Sequence, residues 1–172
     1  MIFNQKGKSM KRFNLATLLV VLTTFTVSVF SNDTLANQSK PDLKGFAQLY
    51  FDRMTATQMP NADSAALESY LSLLTDDVGH SHLPWVKDDS RLPSGKADMR
   101  KGMTFYLGAH DKYEAELLDV FTFNDSAVAI RYKNYAKGIH PQNNQPIEYS
   151  QVMMEVLELE DGKVAVIRKY HE

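Results

Sequence analysis

Near Tyr113 the hydrophobic period of this 172-residue chain changes from helical to alternating. Before that point apolar residues recur at i, i+3, i+4 and i+7; after it they alternate with polar ones. A chain built this way has helices with one apolar stripe and strands with one apolar face. Those two surfaces can be buried only against each other, so the fold class is α+β.

Pro41 opens the first helix, whose stripe is Leu43, Phe46, Ala47, Tyr50 and Met54. The segment from Gln58 to Ser64 breaks it, and Asp63 or Ser64 caps a second helix with Leu67, Tyr70, Leu71 and Leu74 on its stripe. Thr75-Asp76-Asp77 closes that helix, Val78 to His82 reads as a short extended piece, and Leu83 to Lys96 as a loop. Ala97 to His110 is predicted as a third helix, with Met99, Met103, Tyr106, Leu107 and His110 on one face. Strands follow at 114–123, 127–138, 147–159 and 163–170. Asn124-Asp125 and Asp161-Gly162 are tight turns, and Ile139 to Pro146 is a longer polar loop. The expected architecture is three helices followed by a four-strand antiparallel meander.

The first forty residues read differently. Lys6, Lys8, Lys11 and Arg12 precede an uncharged run from Leu15 to Phe30, which is short for a membrane span. A basic start, a short apolar core and a small-residue exit describe a secretory signal peptide over residues 1–36, cut after Ala36 or, alternatively, after Ser31. The other reading is an uncleaved anchor. Residues 37–40 form a polar leader, and 41–172 a single domain. The mature chain carries 15 positive and 20 negative charges, a net −5. It is expected in the periplasm or secreted, with no stable membrane insertion after cleavage. Scattered basic residues and an acidic balance give no footprint for nucleic acid. The absence of cysteine excludes thiol nucleophiles, thiolate zinc and disulfides.

Three segments carry a resemblance. They are Leu73-Leu74-Thr75-Asp76-Asp77-Val78, Ser94-Gly95-Lys96 through Tyr106, and the hairpin Val156 to Val164. In their order and spacing over 41–172 the chain resembles the nuclear transport factor two-like (NTF2-like) superfamily, in its ketosteroid-isomerase-like and polyketide-cyclase-like (SnoaL-like) branch. That resemblance implies a strongly curved antiparallel sheet wrapped into a cone, closed by three N-terminal helices. It also implies a pocket inside the cone, a homodimer through the sheet, and no cofactor.

The same resemblance implies site residues. The base position after Asp76-Asp77 falls on His82, where the isomerases carry an aspartate. Histidine can serve as a general base near neutral pH. Tyr50 matches the oxyanion-donating tyrosine of the first helix, and Glu155 a protonated carboxylic acid on the strand before the last hairpin. Strand alternation independently puts Glu155 on one face with Tyr149, Gln151, Met153 and Leu157. An acid on that apolar face either works or pairs structurally with Arg168 or Arg131.

His80, Trp85, Tyr106, His110, Tyr132, Asn134, Tyr149 and Gln151 are the expected ligand-binding side chains. His80-x-His82 also has a metal-ligand spacing that His110 and Glu155 could complete, but the implied fold is not metal-dependent and no metal is expected. Two functions follow. One is a cofactor-independent isomerase, cyclase or dehydratase acting on a small ring-containing or carbonyl-bearing molecule. The other is a non-catalytic binding or interaction module using the same scaffold.

Overall fold

A computed structural model describes residues 41–172; the predicted signal peptide and leader lie outside the described residues. Asp42 caps α1 (Leu43–Ala56) by accepting from the Gly45 N–H at 2.9 Å, and Asp63 caps α2 (Ser64–Leu71) through the Ala66 N–H at 2.9 Å. Each cap satisfies a backbone donor that the first helical turn leaves without a partner. The chain continues through β1 (Leu74–Leu83), α3 (Gly95–Tyr106), β2 (His110–Phe123), β3 (Ala127–His140), β4 (Gln145–Glu160) and β5 (Lys163–His171). Among the described residues no helix is long and apolar enough to cross a membrane.

The five strands form one curved, unclosed sheet in the order β1-β5-β4-β3-β2. The meander β2 to β5 is antiparallel, as the alternating pattern predicts. The early extended piece is a full ten-residue strand, and it runs parallel to β5, so the sheet is mixed. The connection from β1 to the meander passes through α3, which packs on β1.

Two helix boundaries differ from the sequence reading. Leu74 does not end α2; that helix stops at Leu71, and Leu74 starts β1 opposite Val164. It is fully buried in either role, which is why it fitted the helical stripe. His110 does not end α3, because Leu107 leaves helical geometry at ψ 131° and Gly108 turns the chain at φ +71°. His110 is the first residue of β2 instead. The long polar loop also tightens: Ile139 pairs with Pro146 and His140 with Gln145, leaving Pro141 to Asn144 as the turn.

The core lies between the stripes of α1 and α2 and the inner face of the sheet. Tyr50, Leu67, Leu71, Ile130, Leu157 and Ile167 are fully buried there. Each such aliphatic side chain contributes about 1.5–3 kcal/mol of burial. No residue of α3 is fully buried. Its inner side, with Met99, Met103 and Tyr106, lines the cavity described next.

Candidate active site

Strand periodicity delivers the cavity's side chains. Residues two apart on a strand share a face, so β1 offers Val78, His80 and His82 to the inside. By the same rule β5 offers Ile167, Lys169 and His171, β4 offers Tyr149 through Glu155, and β3 offers Tyr132 and Asn134. With α3 as the opposite wall, these enclose about 820 Å³. Gly138 lets β3 lie close against the start of β2: a Cβ there would collide with the Ala109 carbonyl, the residue that leads into His110.

Glu155 is the centre of one cluster. It has no exposed surface. Its carboxylate accepts from Tyr50 Oη at 2.7 Å and Tyr132 Oη at 2.7 Å, and pairs with Lys169 Nζ at 2.7 Å. Tyr70 Oη lies 3.0 Å from Tyr50 Oη and extends the network. Burial alone would raise the Glu155 pKa, but the Lys169 charge and the three donors outweigh it and hold the group below the usual carboxylate range. Burial, reinforced by the Glu155 charge, pushes the Tyr50, Tyr70 and Tyr132 phenols up, so they stay protonated donors.

This bonding corrects the expected role of Glu155. A carboxylate accepting from three groups is ionised, not a protonated acid that donates to a substrate. Its partner is Lys169, not Arg168 or Arg131. Arg168 stands on the other face of β5 with Asp89 and Glu158, and Arg131 pairs with Glu172 and Asp119. Tyr50 faces Glu155 and is not among the cavity-lining residues.

The second cluster is imidazole. His80 and His82 have ring centroids 6.0 Å apart on β1. His82 stacks on His171 of β5 at 4.6 Å and 19°, with the two Nε2 atoms in hydrogen-bond contact. Trp85, 69% exposed, does not line the cavity but packs edge-on against both rings, 5.7 Å from His82 and 4.6 Å from His171. His171 Nδ1 is 3.1 Å from Gln151 Oε1. Burial and then the Lys169 charge lower the pKa of His80 and His82 to about 4, and the same two causes lower that of His171. All three are uncharged near neutral pH.

His110 lies apart from that cluster. Its Nδ1 contacts the Gln58 carbonyl at 2.9 Å, and its ring stacks on Tyr113. The ligand set of His80, His82, His110 and Glu155 is therefore not assembled. Among the described residues no group of three or more histidines and carboxylates could hold a metal ion.

Tyr106 and Tyr149 form an aromatic part of the wall, 40% and 39% exposed. Asn134 is buried; its Nδ2 donates to Tyr113 Oη at 3.3 Å, and its Oδ1 has no partner among the described residues.

Lys169, His171, Tyr70 and Tyr113 line the cavity as well, and none of them is a site residue on the sequence reading. The apolar run Val164 to Ile167 is buried on both faces, so β5 shows no alternation from which an inward Lys169 or His171 could be read.

No protein-family profile matches the chain, and no curated protein matches it. Solved structures do. An NTF2-like protein from Anabaena variabilis superposes with a TM-score of 0.57 at 18% identity, over 81% of this chain and 95% of that one. A protein described as a SnoaL-like polyketide cyclase from Shewanella putrefaciens gives 0.58 at 12% identity, over 76% and 80%. One described as a ketosteroid isomerase from Kribbella flavida gives 0.52 at 17% identity, over 74% and 76%. Identities this low speak for the fold alone. The chain has the NTF2-like fold, in the form shared with structures described as SnoaL-like cyclases and ketosteroid isomerases.

Proposed function

We propose that this protein is an exported, cofactor-independent acid–base catalyst of isomerase, cyclase or dehydratase type, acting on a small ring-containing or carbonyl-bearing molecule. The observation that carries this reading is His82: an imidazole lining a large cavity, held uncharged, with a proton-accepting nitrogen at neutral pH. In the proposed step His82 takes the proton next to a carbonyl, and the C–H electron pair moves into the enolate. The Lys169 charge, whose field already reaches His82, stabilises the developing oxyanion. Return of the proton to a different carbon completes an isomerisation.

A binding module without turnover is the second reading. It is favoured by the capture of Tyr50 and Glu155 in each other's hydrogen bonds, which leaves no ready oxyanion pair. A homodimer through the outer face of the sheet belongs to the same proposal, supported by Phe121 and Phe123 standing 50% and 53% exposed on β2.

The test uses protein purified from the exported fraction, with its intact mass reporting cleavage after residue 36 and dimer formation. Deuterium exchange into a panel of enolisable ketones is then followed by NMR. Wild type should exchange at least about a hundredfold faster than His82→Ala, the usual contribution of a positioned base. Equal rates would leave the binding reading.

A further inference from the structure

We propose that His80, His82 and His171 form a subsite for the carboxylate of a small ring-bearing acid, and that the site takes up a proton as the acid binds. This rests on the reading of the cavity as a small-molecule site and names the ligand class.

The first support is the hydrogen-bond arithmetic. Gln151 Oε1 can only accept, so His171 Nδ1 carries a proton and donates to it. A neutral His171 then presents a bare Nε2. Two bare nitrogens cannot face each other, so His82 carries its proton at Nε2 and donates it to His171. That leaves His82 Nδ1 as an unused acceptor. The His80 ring makes no hydrogen bond with any described residue. The cluster thus has unused nitrogens on two rings, and a protonated ring would turn one of them into a charged donor.

The second support is the company the imidazoles keep. Histidines in clefts are often paired with carboxylates, but among the described residues no carboxylate is hydrogen-bonded to any of these three rings. The charged groups around them are Lys169 on β5 and Glu155 on β4, with Asp88 in the loop after β1 and Asp98 on α3 also lining the cavity. The nearby phenols are Tyr132 on β3 and Tyr70 on α2. Glu155 is engaged by Lys169 and two phenols. Asp88 accepts from the Ser90 N–H and hydroxyl, and Asp98 from the Ser94 hydroxyl. At each of the three rings the Lys169 charge acts more strongly than the Glu155 charge. The Glu155 carboxylate beside these rings is already bonded to Lys169 and two phenols, which leaves the imidazole nitrogens themselves as the open positions. A carboxylate entering there gains from Lys169 and makes it favourable for an imidazole to bind a proton, which then donates back to the ligand.

The third support is the rest of the wall. Met99, Met103, Tyr106, Ile147 and Tyr149 line the cavity under α3. Thioethers and aromatic faces suit the body of a planar ring.

The probes are 2-naphthoate and its neutral isostere 2-naphthamide. Binding is measured by calorimetry on the purified protein at pH 7, in two buffers of different ionisation enthalpy. Naphthoate should bind at least tenfold more tightly than the amide and take up close to one proton. Its affinity should fall, by up to about tenfold per pH unit, from pH 6 to pH 8. In His82→Gln and in His171→Gln the naphthoate affinity should drop at least tenfold, with the amide within about twofold of wild type. Equal affinity for the two probes, naphthoate binding without proton uptake, or no naphthoate binding would each overturn the proposal. Should a variant fail to fold, the wild-type proton uptake and pH slope still decide. Ketone exchange is read separately, so the acid–base reading and the carboxylate subsite can fail independently.

Discussion

Two polar clusters share the inner face of the sheet, side by side on β5. Around Glu155 every polar group is answered by protein: one carboxylate, one ammonium and three phenols close on themselves with bonds of 2.7–3.0 Å. Around His82 the protein supplies Gln151 and a second imidazole and then stops. A closed network in a low-dielectric interior holds the fold in one arrangement. An open one costs the fold something and keeps bonding capacity for a ligand. The difference separates two histidines and a carboxylate that the sequence alone presents as equals.

The sharpest way to break that distinction is Glu155→Ala. It leaves Lys169 and the buried phenols of Tyr50 and Tyr132 without their acceptor. A loss of about 3–5 kcal/mol is expected in denaturant unfolding. Replacing both Glu155 and Lys169 by methionine should recover most of it. A loss below about 1 kcal/mol for Glu155→Ala would mean that the cluster is not closed in solution.

The pH dependence of stability comes next in size. His80 and His82 titrate near 4 in the folded chain and near their ordinary value of about 6.5 when unfolded. Between those values the unfolded chain binds more protons, so stability falls as pH drops from about 6.5 to about 4. The mostly buried His80 contributes on the order of 3 kcal/mol to that fall, and the half-buried His82 less. Glu155 has the opposite origin. Its lowered pKa gives stability that is present above the ordinary carboxylate value and lost only as pH falls through its depressed one. Two steps are expected in an unfolding-versus-pH series, and His80→Gln should flatten the upper one. A curve flat from 6.5 to 4 in wild type would mean that the imidazoles are solvated.

Gln151→Leu should have the smallest effect on stability, about 1 kcal/mol or less, since it removes one hydrogen bond from a half-buried pair. Its readout is the tautomer. Long-range 15N spectra should show His171 protonated at Nδ1 in wild type and released from that tautomer in the variant. An unchanged tautomer would remove Gln151 from the chain of bonds.

Much of the fold is legible before any coordinates, because its causes are local. Asp42 and Asp63 cap their helices through donors three residues on. Asp161-Gly162 turns the last hairpin at φ 50° and 75°. Alternation along β4 puts Glu155 inward whatever the neighbouring strand is. The end of α3 is less legible: His110 continues the spacing of Met99 and Met103, and only the turn at Gly108 removes it to β2.

The helix stripes, the hairpins and the shared face of the β4 residues each follow from spacing within one segment and need no partner to be read. The tertiary structure decided what those residues meet. Antiparallel register sets Lys169 opposite Glu155, and the parallel β1–β5 pairing brings His82, 89 residues away, against His171. Neither pairing leaves a local signature, because β5 is buried on both faces and its run of Val164 to Ile167 fits either register equally well.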